Sequence, residues 1–244
     1  MSDWPEDATV QRFSDATSSE GVMVFAEMVD GHLLNVGREL MGPGREMADH
    51  LGVSLSAILI HHSVGDAPQD LIALGADKVI VVEDSRLEHY TTLPYARALS
   101  DYLTNVHRPE ILLMGATTTG RDLAPRVASR VDAGVTADCT KLSVGPFYHR
   151  KTKSVTTHML EAHRPSFGES KLACIMSNPE QLWAPAMATA RPGIFVAPVS
   201  DSSRTGDVEA FTPDWQDGDF SVEVMDVRRG GGERVDLGHC KIVV

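Results

Sequence analysis

The chain has 244 residues, enough for one large α/β domain or one domain with an appendage, and 42% hydrophobic with 23% charged residues is the balance of a folded protein. Its 22 basic residues against 34 acidic ones give a net charge of −12, which argues against general nucleic-acid binding, because phosphate neutralisation needs clustered Lys and Arg. Cys139, Cys174 and Cys240 lack the paired spacings of a zinc or iron–sulfur site and no apolar run approaches ~18 residues, so a cytoplasmic protein with reduced, mostly buried thiols is expected.

Residues 1–19 are acidic and Ser/Thr-rich and read as a flexible, solvated tail. The first strand is expected at 22–28, ending at the turn residues Asp30 and Gly31. Glu39, Leu40, Met47, Ala48 and Leu51 keep a helical period that Gly42, Pro43 and Gly44 interrupt, so this helix is kinked or begins at Pro43. Those glycines lack the spacing of a phosphate loop. The second strand, 55–60, leads to His61 and His62, whose rings would point to opposite faces of an extended chain and so would not chelate a metal jointly. A short helix closed by Gly75 precedes the third strand, 78–82. Tyr95, Leu99, Tyr102, Leu103 and Val106 then recur at helical spacing over 92–107, with Thr92 as the expected cap.

Residues 111–114 form a continuous apolar run of the kind a strand covered on both faces needs. Pro125 costs about 3 kcal/mol in a helix interior but little in the first turn, which predicts a helix starting with Asp122 as its cap. Leu123, Ala124, Val127, Ala128 and Val131 form its apolar face, Arg126 and Arg130 lie opposite, and Gly134 suits the left-handed residue before a strand that begins at Val135. The turn Gly115, Thr117, Thr118, Thr119, Gly120, Arg121 and Asp122 sits at the carboxyl end of a strand, where open α/β sheets hold ligands. It is either an anion or nucleotide site or a strand-to-helix connection whose hydroxyls and carboxylate satisfy backbone donors. Beyond it the alternation gives way to strand-like segments at 155–160, 172–176, 186–190, 194–196 and 222–227, with a Ser-, Asp-, Gly- and Pro-rich surface loop at 200–219. There is no GxSxG and no Cys or His nucleophile arrangement.

The segment GATTTGRDLAPRVASRV at 115–131, GVTADCT at 134–140, HRPSFGES at 163–170 and MATARPG at 187–193 resemble, in order, the alpha subunit of the electron transfer flavoproteins. LLNVGRELMGPGREMADHLG at 33–52 and LGADKVIVVED at 74–84 fit the same pattern, so the resemblance covers about 22–244. In place of RPAFGGN or RPAYGGN, the chain reads Arg164, Pro165, Ser166, Phe167, Gly168, Glu169, Ser170, which puts any contact made by that turn in question.

The resemblance implies a three-layer α/β fold, a mostly parallel sheet with helices on both faces related to adenine-nucleotide alpha-hydrolase-like folds, with a strand-rich second half. It implies an amino-terminal domain at 20–199 and terminal strands at 220–244 that lead toward an FAD-binding domain not included in this sequence. It also implies a beta subunit as partner, AMP held in that beta partner, FAD in the complex, and electron transfer from a flavin dehydrogenase to an acceptor. No catalytic residue carries over, and the chain alone is expected to be non-catalytic. Arg126, Arg130, Arg164 and Phe167 are interface candidates, the last two presenting a cation and a ring. The alternatives are an AMP- or ATP-binding module using the turn 115–122, and a structural subunit of a larger flavoenzyme complex.

Overall fold

The computed structural model describes residues 4–166, 171–176 and 184–228. In chain order these form β1 (Thr9–Arg12), α1 (Phe13–Thr17), β2 (Val22–Phe25), β3 (Met28–Val29), β4 (His32–Leu33), α2 (Asn35–Leu51), β5 (Leu55–His61), α3 (Ala67–Ala73), β6 (Lys78–Glu83), α4 (Thr92–Asn105), β7 (Ile111–Gly115), α5 (Thr118–Arg130), β8 (Val135–Cys139), β9 (Lys141–His149), β10 (Ser154–Ser166), β11 (Lys171–Ile175), β12 (Ala186–Ala190) and β13 (Asp207–Ala210).

Seven strands make one sheet in the order β13-β6-β5-β2-β7-β12-β8, and every pairing in it is parallel. Strand alternation feeds two apolar layers. Val22, Val24, Ile111 and Leu113 join the core under α2 and α3, whereas Met23, Phe25, Leu112 and Met114 join the core under α4 and α5. Both faces being covered is why these strands read as uninterrupted hydrophobic runs. The expected three-layer parallel architecture is therefore the one observed.

The strand-rich half builds a second sheet around β10, which runs parallel to β1 and antiparallel to β9 and β11. Leu142, Met159, Leu160 and Ala162 from this sheet enter the core under α2. Phe13 does the same at 1% exposure, so residues 9–17, expected as solvated tail, carry a strand and a short helix.

Several local expectations are corrected. Helix α2 runs unbroken through Pro43 and does not begin there. A Cβ on Gly42 would lie 2.8 Å from the Val196 carbonyl oxygen and one on Gly44 would lie 3.0 Å from Leu55, so these glycines let the 196 segment and β5 approach the helix. Residues 194–196 and 222–227 form no strand, whereas Asp207–Ala210, inside the expected surface loop, is the edge strand beside β6. The strand β5 ends at His61, so the chain turns there and the His61 and His62 rings lie 4.4 Å apart, not on opposite faces. Cys139 is buried but Cys174 is exposed, and Cys240 and residues 229–244 fall outside the described residues.

Candidate functional site

The strand order reverses direction at β2. From β2 the chain moves through β5 to β6 on one side, and α4 then carries it back to β7 on the other. Helix α2 leaves β2 toward one layer and α5 leaves β7 toward the other. The carboxyl ends of β2 and β7 thus flank the crevice where doubly wound sheets bind ligands.

The turn between β7 and α5 is built differently from the sequence expectation. The cap of α5 is Thr117, whose Oγ1 accepts from the Gly120 N–H at 3.0 Å, and Asp122 lies inside the helix. Pro125 therefore sits in the interior, but on the exposed side, where water can serve the Arg121 carbonyl it deprives of a donor. At the other end Asp132, with φ of +54°, takes the left-handed position expected of Gly134. The apolar face of Leu123, Ala124, Val127, Ala128 and Val131 is buried as its spacing predicted.

The two glycines of the turn serve packing. A Cβ on Gly120 would lie 1.8 Å from the Gly115 carbonyl oxygen, and one on Gly115 would lie 2.8 Å from Val36. Neither is held open for a ligand.

Asp122 accepts hydrogen bonds from Tyr90 Oη at 2.7 Å and Thr92 Oγ1 at 2.5 Å, and Arg126 reaches it from the next turn at 3.5 Å. Thr92, expected as a helix cap, is thus a tie between α4 and α5. The Thr92 hydroxyl, with Tyr90 and Arg126, holds the Asp122 carboxyl below the usual carboxylate range. Burial, together with the neighbouring Asp122 carboxylate, pushes the Tyr90 phenol well above its ordinary value.

Arg121 donates from Nε to the Ala116 carbonyl at 2.9 Å and reaches Asp138 at 3.3 Å. Arg191 approaches the same carboxylate at 2.8 Å, and the charge of Arg164 also acts on it. The guanidinium groups of Arg121 and Arg191 thus converge on Asp138, which Arg191 in particular holds below the usual carboxylate range. Asp138 adopts φ of +62° and donates its backbone N–H to Thr189 Oγ1, mounting it rigidly between β8 and β12. The structure places Arg121 here, with Arg164 acting on Asp138 only through its charge, while Arg130 is exposed at the far end of α5 and Arg126 belongs to the Asp122 network. Thr118 is exposed and Thr119 half-buried at the start of α5. Phe167 lies outside the described residues.

The residue that sequence reasoning missed is Glu27. It follows β2, is 5% exposed, and accepts from Thr117 Oγ1 at 2.5 Å, with the Thr119 hydroxyl close by. Burial pushes its carboxyl above the usual range against the pull of those two hydroxyls. Beside it is a cavity of about 110 Å³, also lined by Asp30, His61, Glu88 and Tyr95. Pockets that take drug-sized ligands are roughly 300–1,000 Å³. Burial lowers the pKa of His61, which favours its neutral form in this wall. Among the described residues no group of three or more His, Cys, Asp or Glu is placed to hold a metal ion, and no helix is long and apolar enough to cross a membrane.

A family model for the electron transfer flavoprotein domain matches residues 22–215, which takes in the whole parallel sheet. The chain is 40% identical over 227 residues to the electron transfer flavoprotein subunit alpha of Clostridium acetobutylicum, covering 92% of this chain and 64% of that protein. It is 40% identical over 225 residues to Protein FixB of Clostridium saccharobutylicum, covering 92% and 63%. It is 32% identical over 230 residues to the lactate dehydrogenase (NAD(+),ferredoxin) subunit LctC of Acetobacterium woodii, covering 94% and 51%. The chain therefore spans less than two thirds of the length of these relatives.

Proposed function

Because this chain belongs to the electron transfer flavoprotein family, we propose that it is an alpha-type subunit that pairs with a beta-type subunit and provides scaffold and interface for electron transfer between flavin partners. The observation that carries this reading is the match across residues 22–215, joined to the similarity to proteins named as electron transfer flavoprotein alpha subunits. Within the described residues the strand-end crevice is occupied by the chain's own side chains, which supports a structural contribution over a catalytic one. The complex carries FAD, the beta partner holds AMP, and the assembly works in the cytoplasm between a flavin dehydrogenase and an acceptor. The arginines gathered at Asp138, on a chain of net charge −12, supply a local positive surface for an acidic stretch of the partner.

Mixing the chain with a beta-type subunit tests the reading directly. Light scattering after size exclusion should find a one-to-one heterodimer; two separate monomers would refute it. Purified alone, the chain should retain no stoichiometric flavin after dialysis, and a stable flavin spectrum would contradict the scaffold role.

The similarity to a lactate dehydrogenase subunit favours a second reading, a structural subunit of a larger flavoenzyme complex. Affinity purification from the native source separates the two. Stoichiometric recovery with a dehydrogenase, persisting through high salt, supports the larger complex, and recovery with a beta-type subunit alone supports the heterodimer.

A further inference from the structure

At the switch point of a doubly wound sheet, an anionic ligand meets the amino terminus of the helix that follows the strand, because unpaired N–H groups and the helix dipole favour negative charge there. In this chain an acidic side chain already stands against that terminus, joined to it through the capping hydroxyl. The Glu27 carboxylate, 5% exposed, is bonded to Thr117, and Thr117 is the cap of the thirteen-residue helix α5. One hydroxyl serves both groups: Thr117 Oγ1 accepts from the Gly120 N–H and donates its own proton to Glu27. The Thr119 side chain, in the first turn of the helix, lines the same cavity.

The surroundings agree with an internal occupant. Gly115 and Gly120 are spoken for by packing against Val36 and the Gly115 carbonyl, so no backbone approach is reserved for a phosphate. The space left beside Glu27, about 110 Å³, is too small for a nucleotide, and Asp30 and Glu88 line it, adding negative charge against an incoming oxyanion. Glu27 is also anchored from behind, because its carbonyl accepts the Leu34 N–H at 2.9 Å and fixes the residue at the end of β2.

We propose that Glu27 is an intramolecular ligand of the α5 amino terminus, holding the seat that a tetrahedral oxyanion would take, and that it closes this crevice to phosphate and nucleotides. The specificity of this crevice then resides at Glu27 more than in the threonines around it. This inference stands apart from the choice of partner subunit.

The test compares the full chain with its Glu27→Ala and Glu27→Ser variants by calorimetric titration with inorganic phosphate and, separately, with AMP. The parent should give no saturable heat with millimolar phosphate or AMP. Glu27→Ala should gain saturable phosphate binding at least tenfold above any parent response, since it frees both space and donors. AMP binding alongside phosphate would mean that the vacated crevice admits a nucleoside, and phosphate alone would mean an oxyanion seat; either supports the proposal. Saturable binding by the parent with Glu27 in place overturns it, as does a Glu27→Ala protein with native circular dichroism that responds to neither probe. Should Glu27→Ala fail to fold, Glu27→Ser, which also vacates the space, decides by thermal unfolding. Phosphate should raise its midpoint by several degrees where sodium chloride of equal ionic strength does not, and equal responses to the two salts overturn the proposal.

Discussion

Replacing Asp122 by Ala probes how the two helices beside the crevice are joined. The carboxylate receives two hydroxyls, from Tyr90 at 2.7 Å and Thr92 at 2.5 Å, and charge-assisted bonds of this kind contribute about 1.5–3 kcal/mol each when well shielded. Asp122 is 40% exposed, however, so solvent screening reduces each to about 1 kcal/mol. The Arg126 contact, at 3.5 Å with Arg126 55% exposed, adds only a few tenths. Against this, Ala gains about 0.5 kcal/mol of helix propensity inside α5. The net expected loss is about 1.5–2 kcal/mol, measured by urea unfolding.

A plain helix cap would cost a similar amount, so the discriminating quantity is coupling. A double-mutant cycle with Tyr90→Phe should return about 1 kcal/mol of interaction energy, because Tyr90 comes from the start of α4 and not from the α5 backbone. The pH dependence has a fixed sign. With its folded pKa held below the ordinary 3.8, Asp122 contributes stability that is complete above that value and disappears as pH falls through the folded value. The gap between parent and variant should therefore close in acid. Additive single mutants, or a variant within 0.5 kcal/mol of the parent at neutral pH, would refute the inter-helix tie.

Gly120→Ala forces a Cβ to within 1.8 Å of the Gly115 carbonyl oxygen, so α5 must lift from β7; a loss of about 3 kcal/mol or more in chemical unfolding is expected, and retention of parent stability would contradict the packing. Phe13→Ala removes a ring that is 1% exposed beneath the second sheet and should cost about 3–4 kcal/mol, seen also as faster amide exchange in β1. Glu110 is 0% exposed, both carboxylate oxygens lack a hydrogen-bond partner among the described residues, and burial raises its pKa above the ordinary 4.5 against the field of Arg12. A carboxyl with a raised folded pKa stabilises the fold below its unfolded value and loses that contribution as pH climbs, so Glu110→Gln should be about 1 kcal/mol more stable than the parent at pH 8 and equal to it near pH 4. Destabilisation at pH 8 would mean that Arg12 fully compensates the ionised form.

How much of this was legible in the sequence follows from where each cause lies along the chain. The run at 111–114 announced a buried parallel strand because both faces of β7 are covered, 186–190 announced a strand without its direction or burial, and the spacing of Leu123, Val127 and Val131 announced the buried face of α5. The start of α5 was misjudged because the penalty assigned to Pro125 is local, whereas Thr117 and Gly120 fix the start through contacts with Glu27 and β7. The edge strand Asp207–Ala210 escaped for the opposite reason, being four residues of mostly exposed chain that become a strand only because β6 lies beside them. Glu27 had no signature at all. In sequence it is one acid between Ala26 and Met28, and its role depends on Thr117, ninety residues away, which only the placement of β2 beside β7 brings within reach. Thr117, one of the three threonines of the expected ligand turn, is the donor side of an internal contact with Glu27 while Thr118 is exposed, and on the proposal above it is the acceptor that decides what this crevice can bind.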